Sequence, residues 1–186
     1  MHSLINEQKT GADFSAPVND FKEKSFMFRL KIYEVKTEYI DFLSQYQEHL
    51  FLDKNNANKR KYIGIILDIN GHKYFAPLSS FKEKHKKIKE SVDFIKIKDY
   101  AVININNMIP VPSGQYYLID INSEKDSHYK YLLQAESREI NRQKNRILKN
   151  AQIVYSHKKK YGISTLLAKR TNNFDILETA CDMFDR

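Results

Sequence analysis

The chain is predicted to fold as a single α+β domain built on antiparallel strands, and three observations carry that prediction. Asn70-Gly71 lies between two apolar runs. That pairing signals a hairpin with a two-residue type I′ turn, because both turn positions need positive φ. Short apolar or alternating runs, punctuated by Gly, Pro and Asn, continue to about residue 121. From Ser127 onward the apolar spacing turns helical. Apart from one early helix after the first strand, strands come first and helices last, which is the α+β order.

Residues 1–26 are polar and aperiodic, with Gly11 and Pro17, and read as a flexible N-terminal extension to a domain over 27–186. Phe26–Val35 alternates well enough for a first strand. Thr37 reads as the N-cap of a helix from about Glu38 to Leu50, with Tyr39, Phe42, Leu43 and Tyr46 on one stripe. Residues 53–60 form a polar, basic loop that enters the hairpin. Beyond the hairpin and a lysine-rich stretch over 82–89, strands are predicted at Phe94–Ile97, Ala101–Ile105 and Tyr116–Ile121. Pro110 and Pro112 confine Met108–Val111 to an edge or irregular segment. One long helix is expected from Ser127 to about Tyr161, with Leu133, Ile140, Ile147, Ala151 and Val154 on a narrow seam. Between 126 and 161 nine Lys/Arg face three acids, which leaves a wide basic face. Gly162 stops that helix, and a short amphipathic one over Phe174–Phe184 closes the chain.

The hairpin register can be worked out from its turn. With Ile69 facing His72, paired residues sum to 141, so Asp68 lies across from Lys73 in a favourable charge pair. Leu67, Ile65 and Ile63 then share a face with Tyr74, Ala76 and Leu78, while Ile66 and Phe75 point the other way. The same register sets Tyr62 opposite Ser79, Lys61 opposite Ser80 and Arg60 opposite Phe81. Strands lie about 4.8 Å apart, so Arg60, Lys61, Ser79, Ser80 and Lys82 gather at the open end of the hairpin. Two hydroxyls, a fixed cation and a second cation are what metal-free phosphate chemistry requires. Taken singly, Ser79-Ser80 also reads as a strand end or helix cap, and the lysines as solvated surface.

Composition narrows the function classes. The 186 residues carry 31 Lys+Arg against 23 Asp+Glu, a formal charge of +8, which favours a polyanionic partner, nucleic acid first. The single cysteine, Cys181, makes no internal disulfide and reads as core packing. No stretch suits a membrane span and the N-terminus lacks a signal peptide's apolar core, so the expected location is cytoplasmic. Phosphate-cradling Gly-rich loops and metal-binding Cys/His spacings are absent, so no metal or cofactor is expected. Of six scattered histidines, His72 reads as a strand residue, and His85, inside the lysine cluster, alone is a candidate for proton transfer.

Tyr62-Ile-Gly-Ile65, Asp68-Ile-Asn-Gly-His-Lys-Tyr-Phe-Ala-Pro-Leu-Ser-Ser-x-Lys82 and Ile103-Asn-Ile-Asn-Asn-Met-Ile-Pro-Val-Pro112 resemble, in that order, the ToxN/AbiQ family. These are endoribonuclease toxins of type III toxin–antitoxin systems. The resemblance runs from about Phe28 to Phe184 and includes the closing Glu178-Thr-Ala-Cys-Asp182. It implies a highly twisted antiparallel sheet wrapped by helices, with no metal. It implies an active-site motif of a hydroxyl pair followed by x-Lys, matched by Ser79, Ser80 and Lys82. A basic residue ahead of the aromatic-Ile-Gly is matched by Arg60, where a relative carries lysine. An aromatic on the first helix, an RNA contact, matches Tyr39, and a loop tyrosine falls at Asn56. It further implies a repeated, structured, pseudoknot-like RNA antitoxin in a closed toxin–RNA assembly, and abortive infection against phage.

Metal-free cleavage of cellular or phage RNA would use the substrate's own 2′-hydroxyl and leave a 2′,3′-cyclic phosphate. Lys82 and Arg60 are assigned to the phosphoryl oxygens, Ser80 to the scissile phosphate, and Ser79 to the ribose or the lysine. Lys59 and Lys61 of the loop, Lys84, His85, Lys86 and Lys87, and Arg142 and Lys149 of the long helix would line the RNA groove. No membrane or DNA role is expected. The alternatives are a non-catalytic basic RNA-binding module and a basic structural protein whose hairpin is merely core.

Overall fold

The computed structural model describes residues 28–47 and 60–184. The strands are β1 (Lys31–Val35), β2 (Lys61–Ile69), β3 (His72–Ser80), β4 (Phe94–Ile97), β5 (Ala101–Asn104), β6 (Ile109–Pro110) and β7 (Tyr116–Leu118). They form one antiparallel sheet in the order β4-β5-β3-β2-β1-β7, with β6 also paired to β3. The helices are α1 (Thr37–Ser44), α2 (Glu83–Lys87), α3 (Ser127–Arg142), α4 (Lys144–Tyr161), α5 (Leu166–Arg170) and α6 (Phe174–Phe184). The α+β architecture is therefore as expected.

The central hairpin turns where expected, with Asn70 at φ 53 and Gly71 at φ 85. Ile69 pairs with His72, Asp68 with Lys73 and Leu67 with Tyr74. Beyond Leu67 the register changes. Ile63 pairs with Ala76, Tyr62 with Pro77 and Lys61 with Leu78, so the pairs there no longer sum to 141. A bulge over residues 64–66, set against Phe75, takes up the difference. Gly64 is what permits it: a Cβ at this position would lie 2.2 Å from Cε1 of Phe75. Ile65 and Ile66 consequently part, Ile66 into one core and Ile65 against the other. The expectation that Ile65 shares a face with Ile63 and Leu67 is corrected by this insertion.

Both faces of the sheet are covered. On one, Leu133, Ile140, Ile147, Ala151 and Val154 of α3 and α4 pack on Ile63, Tyr74, Ala76, Ile95 and Ile103. The predicted seam is thus the packing face, but the helix is two helices. They part at Gln143, whose φ of −93 and ψ of 8 leave the helical range. Its side chain is drawn to the sheet, where Nε2 donates to Lys96 O at 3.1 Å. On the other face, Tyr39 and Leu43 of α1 and Leu177 and Ala180 of α6 pack on Val35, Tyr62, Phe75 and Ile109. Helices shorter than about 12–15 residues are marginal alone. The burial of Tyr39 and Leu43, each 0% exposed, is what holds the eight residues of α1. α1 begins after Lys36, which offers no side-chain cap, rather than after Thr37. The expected extension of α1 to Leu50 lies outside the described residues.

The remaining differences are local. Strands expected to reach Ile105 and Ile121 end earlier in single 3₁₀ turns over Ile105–Asn107 and Ile121–Ser123. α2 and α5 are additions, the latter capped by Thr165, whose Oγ1 accepts from Ala168 N at 3.1 Å. Among the described residues no helix is long and apolar enough to cross a membrane.

Gly64→Ala is expected to cost about 1–3 kcal/mol through overpacking, measured by urea unfolding. In a Phe75→Leu background the penalty should shrink, since the aromatic edge that meets the new Cβ is gone. Equal penalties in both backgrounds would show that Phe75 is not the constraint.

Candidate active site

The corrected register rebuilds the site at the open end of the hairpin. Continuing the ladder by one residue beyond Lys61 and Leu78 brings Arg60 level with Ser79, not with Phe81. On the other side of β3, Ser79 pairs with Val102 and Ser80 with Ala101. Successive residues of a strand point to opposite faces. Ser79 therefore shares the face of Arg60, and Ser80 that of Lys61. Ser80 is exposed and Ser79 half-buried. Phe81 N donates to Tyr100 O at 3.0 Å, which carries the β3–β5 contact one step past the strand. Lys82 follows in extended backbone, φ −129 and ψ 158, with its side chain in solvent.

A short basic helix turns the chain away at that point. Lys84, Lys86 and Lys87 of α2 are exposed, as expected. His85 is not: it is 7% exposed, with its ring edge-on to Phe81 at 5.6 Å and Phe94 at 5.9 Å. Its Nδ1 accepts the backbone N–H of Lys82 at 3.0 Å. As a direct RNA contact His85 is therefore corrected, because its ring is an apolar anchor and one nitrogen is engaged. Burial, with Lys84, Lys82 and Lys96 nearby, lowers its pKa below the ordinary histidine range.

Two other assigned residues also turn inward. Tyr39 is 0% exposed. Its hydroxyl donates to Pro110 O at 2.7 Å and its ring meets Phe184 edge-on at 5.0 Å. It is corrected from an RNA contact to a core residue, since the stripe that makes α1 amphipathic is the one that covers the sheet. Lys61 has a side chain 21% exposed, paired with Glu34 Oε1 at 2.5 Å and lying 6.0 Å from the Tyr129 ring. Its charge belongs to a cluster beneath the site rather than to an open groove. Lys59 and Asn56 lie outside the described residues.

The basic face of the long helices is partly spent on the protein itself. Arg142 pairs with Glu139 at 3.0 Å and Arg146 with Glu90 at 3.0 Å. Lys144 donates to Phe28 O at 3.0 Å, and buried Lys158 to Ala168 O at 2.8 Å. Lys159 pairs with Asp175 and with Glu178. Arg142 remains 70% exposed beside Lys98, whose Nζ lies 4.0 Å from Glu139. Lys149 is exposed further along α4. Lys96 and Lys98, at the end of β4, complete the basic rim next to Tyr100. Their period-two spacing after Phe94 was the signal that could have found them.

A model of the family described as "Toxin ToxN, type III toxin-antitoxin system" matches residues 31–182. The chain belongs to this family. An endoribonuclease ToxN of Bacillus thuringiensis subsp. kurstaki is 31% identical over 144 residues, covering 70% of this chain and 74% of that protein. An endoribonuclease ToxN of Pectobacterium atrosepticum is 32% identical over 114 residues, covering 56% of this chain and 67% of its own length. A solved type III toxin, described as selectively inhibited by a non-coding RNA pseudoknot, superposes with a TM-score of 0.72 at 28% identity. That match covers 86% of this chain and 99% of the other.

Beneath the ToxN-family strand end lies one carboxyl that sequence reasoning did not single out. Glu136 of α3 is 6% exposed. Burial pushes its pKa up to about 7, against the opposing pull of Lys61. Such a group binds its proton more tightly folded than unfolded. It therefore adds stability below the ordinary carboxylate range and loses that contribution as pH rises through about 7. Relative to Glu136→Gln, the natural chain should lose about 3 kcal/mol between pH 4 and pH 8, read from urea unfolding at each pH. Parallel stability curves for the two proteins would refute this.

Proposed function

We propose that the chain is an endoribonuclease toxin whose cleavage is metal-independent and whose natural inhibitor is a structured RNA antitoxin. The carrying observation is the strand end itself, where Ser80 and Lys82 stand on one side of the chain and Ser79 with the level Arg60 on the other, inside an exposed basic rim. The endoribonuclease names of the relatives and the pseudoknot-inhibited structural neighbour support the same reading.

The chemistry follows from those groups. The substrate 2′-oxygen attacks the adjacent phosphorus, the bond from phosphorus to the 5′-oxygen breaks, and a 2′,3′-cyclic phosphate forms. A proton leaves the 2′-hydroxyl and another reaches the departing 5′-oxygen. Ser80 and Lys82 lie on the same side of the chain and take the scissile phosphate, with Lys82 stabilising the charge that develops on its oxygens. Arg60 supplies a second cation from the neighbouring strand. It acts as a fixed charge, since arginine does not give up its proton at neutral pH. Ser79, on the Arg60 side, orients the ribose. Lys84, Lys86, Lys87, Lys98 and Arg142 hold flanking phosphates, so binding should weaken steeply with salt.

Lys82→Ala is expected to lower kcat by about 10²–10³, the usual loss for one charge-stabilising donor. RNA cut by the natural chain should carry new 5′-hydroxyl ends at a shared motif and be unaffected by EDTA. Cleavage that EDTA abolishes and magnesium restores would overturn the metal-independent step. Binding without any new ends would instead favour a non-catalytic RNA-binding module.

A further inference from the structure

His85, turned inward from the RNA groove, is a buried side chain bonded directly to the backbone of Lys82. Its ring is packed between Phe81, which precedes Lys82, and Phe94 of β4. Lys82 is bound to it twice through the backbone. His85 N donates to Lys82 O at 2.8 Å, and Lys82 N donates to His85 Nδ1 at 3.0 Å. The second bond is the N3 half of a capping box, with an imidazole in place of the usual Glu or Gln, while the first is a backbone turn bond, since a lysine side chain has no acceptor. A surface lysine is otherwise a flexible point charge on a four-carbon stem. Fixing its backbone removes one of the two sources of positional freedom, and small misplacements of a catalytic group are costly.

We infer that His85 is a positioning residue for RNA cleavage, its Nδ1 holding the Lys82 backbone so that the lysine approaches the scissile phosphate from a fixed origin. The inference rests on the ribonuclease reading above. A ring nitrogen can accept only while it is unprotonated. Lys82 and Lys84 on the same segment and Lys96 from β4 are the charged groups that bear on the ring. All three are cations and, with burial, they keep it neutral. Protonation at acid pH converts Nδ1 from acceptor to donor, which breaks the bond to Lys82. An acid limb in activity follows, lying below the ordinary histidine range.

Two uncharged variants separate the roles of the ring. In His85→Gln the amide oxygen can accept the Lys82 N–H, as Gln does at this position of a capping box, whereas His85→Leu keeps the apolar volume and offers no acceptor. Hydrogen exchange at the Lys82 amide, followed by NMR on the full chain, reads the bond directly. Steady-state cleavage of RNA reads its consequence. His85→Leu should lose at least tenfold of the Lys82 amide protection and about tenfold or more in kcat with little change in KM. His85→Gln should recover a large part of both. The acid limb of kcat/KM in the natural chain should match the titration of the His85 ring and be missing in His85→Gln. An unprotected Lys82 amide with unchanged kcat would overturn the positioning role, as would full protection in His85→Leu. A natural chain that binds RNA without cutting it would overturn the ribonuclease reading instead, while the amide measurement would still report whether His85 holds Lys82.

Discussion

The approach of Phe75 to the backbone of Gly64 decides how the rest of the hairpin is assembled. Two residues more are threaded through β2 than through β3 at that point, and the extra length must go somewhere. It goes into the one place where a missing side chain leaves room for an aromatic edge. A two-residue shift preserves the alternation of faces on either side, so Ile63 still packs with Ala76 and Leu67 with Tyr74. What changes is the partner, by about 6.6 Å along the strand. Arg60 is thereby carried from the level of Phe81 back to that of Ser79. The ring that creates the shift is itself held by Tyr33 at 5.3 Å and Tyr116 at 4.7 Å, from β1 and β7. The composition of the site at one end therefore depends on an aromatic contact in the middle of the sheet.

The same dependence explains what could be read from residues alone and what could not. The turn at Asn70-Gly71, the strand at Phe94–Ile97, the helix at Phe174–Phe184 and the seam of α3 and α4 were all legible, because each rests on local spacing. The bulge was not, since Gly64 reads as a weak strand residue until its neighbour across the sheet is known. The break at Gln143 was also invisible: nothing in its neighbourhood stops a helix, and the cause is a hydrogen bond to Lys96 on a strand 47 residues earlier. Ser79, Ser80 and Lys82 were found as neighbours in sequence. His85 was placed at the surface because a histidine among lysines looks exposed, and Tyr39 was made an RNA contact by the family resemblance although its apolar stripe already pointed to burial. Their burial follows from what each ring packs against.

Counting cations from sequence overstated the basic face for a related reason. Charge in a chain is a sum, whereas charge at a surface depends on pairing. Lys159 serves Glu178, which also accepts from Tyr74 at 2.6 Å and Tyr155 at 2.8 Å. That carboxylate joins α4, α6 and β3 in one network, and its donors hold it below the ordinary carboxylate range despite burial. Exposed pairs such as Arg146 with Glu90 are worth about 0–1 kcal/mol, so a phosphate can compete for them. Lys159 and Lys158, tied into the fold, are not available on the same terms.

The acids around the strand end show how an anionic substrate can be accepted there. Glu34, Glu136 and Glu139 all stand close to the face that Ser80 and Lys61 share. Left ionised and unpaired, they would oppose the approach of a phosphate. Glu34 is paired with Lys61, and Glu139 takes Arg142 and the side chain of Gln143 at 2.9 Å. Glu136 has no full cation to itself, and burial moves its titration up to about 7 instead. Near neutral pH, a large fraction of this group carries no charge. The field at the strand end is accordingly dominated by Lys82, Arg60 and the rim lysines. Local sign is set by which acids are neutralised, and that is a property of the packed α3 face rather than of the net charge of the chain.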